Sequence, residues 1–305
     1  MTYKTKLTFL SALVAVLALT YVLILFFDRD IRRSDVFAWL DPASSAMATR
    51  LEITGPGGGI ALNRRSGVWV FDAGDAELPV RQSKVEDLFA LLSRRAVYPA
   101  RAASLEAAQR LGLTEGTARR IRVWSGHGLL LLDLLVGSED ILGREVYLRM
   151  AGQNQIHSGE GDFISLTNLN PLAWFNLNLF QPFNIDVVQH AEVVQPGGDA
   201  FTLQRSGPGW IILGDDAALE PLRVEAWLRS VVEAQGEDFV FDAPLNAEGS
   251  ITLRLGDGTT RFLEVGAADE HGNWLATVSG SSLVYFLPGR NFDRIFIERD
   301  HFFRN

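Results

Sequence analysis

The chain has 305 residues, 47% hydrophobic and 21% charged, which suits two cores of ordinary size and excludes a disordered chain. Its formal net charge of -9 leaves no basic stripe to release counterions from a phosphate backbone, so nucleic acid is excluded as a partner. It contains no cysteine, which removes disulfides, thiolate zinc sites, a catalytic thiol and a lipidated Cys.

Residues 1–6 form a short tail carrying Lys4 and Lys6. Leu7 to Phe27, LTFLSALVAVLALTYVLILFF, then runs for 21 residues without a charge or a proline. At about 1.5 Å of rise per residue this covers roughly 30 Å, a bilayer hydrocarbon core, and predicts a transmembrane helix contacting membrane lipid. The stretch is longer than a cleaved signal peptide needs, and FFDRDIRR offers no small-x-small cleavage site. Lys4, Lys6 and the amino terminus are nearly balanced by Arg29, Arg32 and Arg33. Orientation therefore rests on the short tail and the long following domain, which together place the amino terminus in the cytoplasm and the body outside. Residues 28–46 read as a polar stalk.

The body is written twice. RLEITGPGGGIALNRRSGVWVFD (residues 50–72) is echoed by HAEVVQPGGDAFTLQRSGPGWIIL (190–213), each with a Pro-Gly-Gly turn, a Ser-Gly turn and one Trp, Trp69 or Trp210. The expected architecture is α+β: the membrane helix, then two tandem homologous lobes, each a mostly antiparallel sheet on one main helix. Lobe one covers 47–170, an aromatic join 171–186 and lobe two 187–305.

In lobe one, strands are expected near 49–54, 59–64 and 67–72, broken at Gly-Pro-Gly and Ser-Gly. A helix follows from Ser83, where Ser83 and Glu86 fit a capping box and Val85, Leu88, Phe89 and Leu92 share one face. A shorter helix spans 104–111, followed by strands at 118–124, 129–136, 144–150 and 155–158. Lobe two repeats the order with a helix over 222–235, placed after Pro221 as the first is placed after Pro79. Strands at 250–255 and 259–265 meet at Gly256-Asp257-Gly258, matching the Gly126-His127-Gly128 turn. The segment from Tyr98 to Gly116 has no counterpart of its length in lobe two.

Motifs that carry chemistry are missing. The Gly55-Pro56-Gly57-Gly58-Gly59 run lacks the Lys-Ser/Thr and the helix of a phosphate loop, and its repetition at Gln195–Asp199 marks a structural turn. His127, His157, His190, His271 and His301 show no metal-ligand spacing. No Gly-x-Ser-x-Gly elbow occurs, and the carboxylate pairs Asp215-Asp216 and Asp269-Glu270 sit in turn-like connections. The expectation is therefore a non-catalytic chain with no cofactor and no metal. What stands out is PLAWFNLNLFQPFNI (171–185), too apolar for an exposed linker. Trp174, Phe175, Phe180 and Phe183, with Phe302 and Phe303 at the other lobe's close, are the candidate residues for a partner or interlobe contact.

Trp69, the helix after Pro79, Leu111-Gly112-Leu113, Gly137 and Val146-Tyr147 together resemble a bacterial family known as domain of unknown function number 4340. The resemblance covers most of residues 1–300 and implies a membrane-anchored envelope protein, often encoded beside ABC-transporter components of the gliding-motility type. It carries no catalytic residue with it. The function expected is that of an accessory or scaffold subunit of a larger membrane-protein complex, single-pass in the bacterial inner membrane with a periplasmic body and protein partners. The alternative is a tethered binding protein holding a small molecule or glycan between the lobes, as an ABC-transporter accessory would.

Overall fold

The computed structural model describes residues 16–21, 36–73, 76–215, 217–241 and 243–303. The expected membrane helix lies mostly outside these residues; of it, only 16–21 are described, as a helical stretch, α1. Among the described residues no helix is long and apolar enough to cross a membrane. The chain is α+β with antiparallel sheets and few helices, and it divides into two compact units, Met1–Asn176 and Leu177–Asn305.

Unit 1 opens with β1 (Val36–Phe37) and α2 (Pro42–Ala46), capped by the Asp41 carboxylate, which accepts from Ala43 N and Ser44 N. These residues differ from the polar stalk the sequence suggests. Trp39 and Leu40 are buried, and β1 pairs with β6 (Ala96–Val97). The strands β2 (Ala48–Gly55), β3 (Gly58–Arg65), β4 (Val68–Ala73) and β5 (Ala76–Pro79) form a meander before α3 (Gln82–Ser93). Next come β7 (Ala100–Ala102), α4 (Leu105–Arg110), β8 (Arg119–Ser125), β9 (Leu130–Glu139), β10 (Glu145–Met150), β11 (Ile156–Glu160) and α5 (Asp162–Leu166). The nine-stranded sheet runs β5-β4-β3-β2-β8-β9-β10-β11-β7.

Unit 2 contains β12 (Val188–Val194), β13 (Ala200–Ser206), β14 (Gly209–Ile212), α6 (Pro221–Val232), β15 (Asp238–Phe241), β16 (Gly249–Leu255), β17 (Thr260–Ala268), β18 (Asn273–Val278), β19 (Leu283–Pro288) and α7 (Gly289–Ile295). Its eight strands run β14-β13-β12-β16-β17-β18-β19-β15, the order of unit 1 without β5. The duplication read from the sequence is therefore a duplication of topology, strand for strand.

Period-two burial makes the sheets. In β2 and β8, Leu51, Ile53, Ile121 and Val123 are buried while Glu52, Arg120 and Arg122 face outward; β12 and β16 do the same with Ala191, Val193, Ile251 and Leu253. The main helices bury the stripe the sequence predicts, Val85, Leu88, Phe89 and Leu92 in α3 and Val224, Trp227, Leu228 and Val231 in α6. Two local expectations fail. Arg81 rather than Ser83 is the residue before α3, and no side chain caps it; Gln82, the first helical residue, bonds Trp69 N and Trp69 O. Pro221 is the first residue of α6 and aligns with Gln82; Pro79 ends β5, three residues before α3.

Candidate docking surface

Of the six aromatic candidates, Trp174, Phe175, Phe180 and Phe302 are buried, while Phe183 and Phe303 are half-buried. Trp174 is 0% exposed in unit 1, where its carbonyl accepts from Arg81 N at 2.8 Å and its Nε1 donates to Asn168 O at 2.7 Å. Phe302 is 0% exposed in unit 2, where its carbonyl accepts from Glu220 N at 2.9 Å and its ring meets Trp227 at 5.4 Å. Phe175 bridges to Val80 as Phe303 bridges to Leu219. The match extends to the helices. Lys84 Nζ donates to Ala173 O at 3.3 Å, and Arg223 Nη1 donates to His301 O at 3.0 Å.

Burial, and then Arg81, lowers the Lys84 ammonium below its ordinary value, and the group lies 4.6 Å from the Trp174 ring centroid. The join itself divides at Asn176. Leu177 and Leu179 belong to unit 2, bonded to Gly236 N and Ala234 O, and Phe180 is buried while Phe183 is half-buried.

What the units do not share is built around Tyr98 to Gly116. Ser104 caps α4 by accepting from Ala107 N at 3.1 Å, with Glu106 in its first turn and Arg110 in its last, both complementing the helix dipole. Ala107 and Ala108 are small enough to bring this helix close, and with Leu113, Ala118, Leu135 and Ile156 they form a second core on the outer face of the sheet. Register aligns Leu135 with Glu264 of unit 2, where no such helix lies over the sheet. The turn after α4 crosses directly over Gly137, whose added Cβ would collide with Leu111 O, and Ser138 N donates to that same carbonyl at 2.9 Å; the crossing itself is shared, since in unit 2 Asn246 O lies 3.0 Å from a Cβ added at Gly266.

Beside this turn lies a cleft of about 620 Å³ lined by Arg101, Arg110, Leu111, Asp140, Glu145 and Tyr147, among others. Arg101 holds Glu145 at 2.8 Å and donates to Ser158 Oγ at 3.0 Å. The Asp140 carboxylate accepts from Glu145 N at 3.1 Å and Arg144 N at 2.7 Å, and these bonds hold it below the usual carboxylate range. Among the described residues Arg110 and the Tyr147 hydroxyl have no hydrogen-bond or ionic partner, so the cleft presents a cation and a phenol on an apolar floor.

The same edge carries an exposed hairpin tip. Asp140 N donates to Glu145 O at 2.8 Å and Gly143 N to Asp140 O at 3.0 Å, with Gly143 at φ 66°, so the turn is tightly bonded. It nevertheless points Ile141, 103% exposed, and Leu142, 69% exposed, into solvent. Unit 2 builds almost the same turn, with Asp269 accepting from His271 N and Asn273 N and Gly272 at φ 80°, and places Glu270 and His271 there.

None of the five histidines lines the cleft, and His157 packs against Phe37 and Trp39 with its Nδ1 2.7 Å from Tyr98 O. Among the described residues no group of three or more His, Asp or Glu is placed to hold a metal ion. Sequence reading missed Arg101, Arg110, Asp140, Ile141 and Leu142. The signal that could have found the tip is the alignment of Ile141-Leu142 with Glu270-His271.

The profile of the family described as "Domain of unknown function (DUF4340)" matches residues 69–249, more than half of the chain. The chain belongs to this family. No curated protein and no solved structure matches it. Of the landmarks that suggest DUF4340, Trp69 is a buried plug stacked on Phe89, while Leu111, Gly137 and Tyr147 all lie at the cleft or under the turn beside it.

Proposed function

We propose that this protein is a non-catalytic accessory or scaffold subunit of a larger envelope membrane-protein complex, acting through protein–protein contacts. In this reading a helix through Leu7–Phe27 anchors it in the bacterial inner membrane, amino terminus cytoplasmic and body periplasmic. The observation that carries it is the docking surface of unit 1. A cleft with an uncommitted Arg110 and Tyr147 presents residue types enriched at protein interfaces, and unit 2 folds without it. The apolar, uncharged run of residues 7–27 supports the anchor, as do the exposed Val16, Leu17, Leu19 and Tyr21 on α1.

The test is purification from native membranes in mild detergent, comparing the natural chain with Arg110→Glu and Tyr147→Ala. The natural chain brings down a membrane protein identified by mass spectrometry, and each substitution reduces that protein about tenfold or more, as loss of an interface anchor does. A monomer without a co-purifying membrane protein, or a partner retained by both variants, overturns the proposal. A reporter fused after Asn305 gives activity outside the cytoplasm; activity confined to the cytoplasm refutes the placement.

A further inference from the structure

We infer that the Ile141-Leu142 tip is a second membrane contact, its two aliphatic side chains seated among the lipids of the bilayer that holds the anchor. This rests on the anchored reading above. The turn does not require apolar residues, since unit 2 makes nearly the same bonded turn with Glu270 and His271. The apolar pair therefore serves something outside the fold.

The path of the chain says what that is. From Phe27, the end of the apolar stretch, residues 28–35 reach at most about 28 Å before Val36 enters unit 1. Val36 pairs with Val97; two residues on, Pro99 O accepts from Ser158 N at 3.0 Å; and at the end of that strand Gly161 N donates to Arg144 O at 3.1 Å, next to the tip. The place where the chain arrives from the anchor, in the small β1-β6 pair, thus lies toward the same end of unit 1 as the hairpin tip. Val36 and Val97 are exposed there as well.

No basic cluster surrounds the tip: Arg144 adjoins Glu139 and Asp140 in the chain, and Arg101 and Arg94 are paired with Glu145 and Glu160. The contact is consequently apolar, indifferent to lipid charge and to salt. Two aliphatic side chains bind a bilayer too weakly to hold a free protein, but on a tethered one they fix which face of unit 1 meets the membrane. The neighbouring cleft is then held at the level where membrane proteins emerge.

Because the chain has no cysteine, single labels can be placed without background. The full chain, in nanodiscs of zwitterionic phosphatidylcholine, is labelled with a polarity-sensitive fluorophore at Leu142→Cys or, as the matched tip of unit 2, at Glu270→Cys. The expected result is a blue shift and quenching by acyl-chain nitroxides at position 142, with water-like emission at 270. A label at Arg144→Cys shows a smaller shift that is lost in the Ile141→Glu, Leu142→His double variant, which carries unit 2's own tip residues and so folds. Water-like emission at 142 overturns the inference, and so does protection that arises only when a native membrane extract is added, which makes the tip a protein contact. A lipid-buried tip without any co-purifying partner leaves this inference standing and removes the accessory-subunit reading.

Discussion

Units 1 and 2 share a strand order, a main helix, a buried Trp on the third strand of the meander and an aromatic plug, yet their outer faces differ. Unit 1 lays Arg50, Glu52, Arg122 and Trp124 side by side, with Arg122 2.5 Å from Glu52 and both arginines over the Trp124 ring. The aligned positions in unit 2 are His190, Glu192, Thr252 and Arg254. Further along, Leu135 is buried under α4 where the aligned Glu264 is half-buried with no helix over it. What is common to both copies belongs to folding, and what one copy alone carries has to be explained by something else. This is why the cleft is the surface proposed for a protein partner and the tip the one proposed for the membrane.

The comparison breaks most visibly if the plugs are not local. Trp174→Ala and Phe302→Ala should each destabilise by about 3–5 kcal/mol, the range for removing a large buried aromatic. Urea unfolding followed by circular dichroism should show a two-step curve in which Trp174→Ala moves one step and Phe302→Ala the other. Equal displacement of both steps by one substitution would show that the plugs are not confined to their units.

Leu135→Ala sharpens the contrast between outer faces. Removing a side chain buried under Ala107 and Ala108 should cost about 3 kcal/mol, whereas Glu264→Ala should stay within about 0.5 kcal/mol because no helix covers it. Similar losses at the two sites would mean that α4 contributes no core.

The smallest effect concerns the two matched tips, and it is one of pH. Asp140 and Asp269 are both held below the ordinary carboxylate value by backbone N–H groups, of Glu145 and Asn273 respectively. A depressed folded value means that each contributes stability above the unfolded value of about 4, lost as pH falls through the lower folded value. Asp140→Ala and Asp269→Ala should each flatten the acid limb of stability against pH between about 5 and 2, and by similar amounts. A variant with an unchanged acid limb would show that its turn is held by the main chain alone.

Much of this fold was legible because duplication gives each signal twice. The Pro-Gly hairpins, the Gly126–Gly128 and Gly256–Gly258 turns, Trp69 and Trp210, and the stripes of α3 and α6 depend on local periodicity and turn chemistry, which sequence records directly. The short strands β6 and β7 escaped because two or three residues carry no period, and their pairing with β1 and β11 is a long-range choice. The tip escaped for a related reason. In LLLDLLVGSEDILGREV, Ile141 and Leu142 look like a continuation of β9, and only the bonds around Asp140 show that the strand has already ended. The cleft was invisible because Arg101, Arg110, Asp140 and Tyr147 come from four separate elements whose approach is set by α4 lying flat on the sheet.

The plugs also set an order of assembly. Each unit begins with its meander and ends by tucking an aromatic pair against the residues that precede its main helix, Trp174-Phe175 beside Val80-Arg81 and Phe302-Phe303 beside Leu219-Glu220. During synthesis unit 1 can therefore close as soon as Phe175 has emerged, before most of unit 2 exists, so the two repeated sheets are not both open at once. For a chain whose halves share one strand order, that sequence of closures guards against strands of one copy pairing into the other. A stop codon between Asn176 and Phe302 would accordingly leave a finished first unit trailing an unsealed second, a ready target for proteolysis.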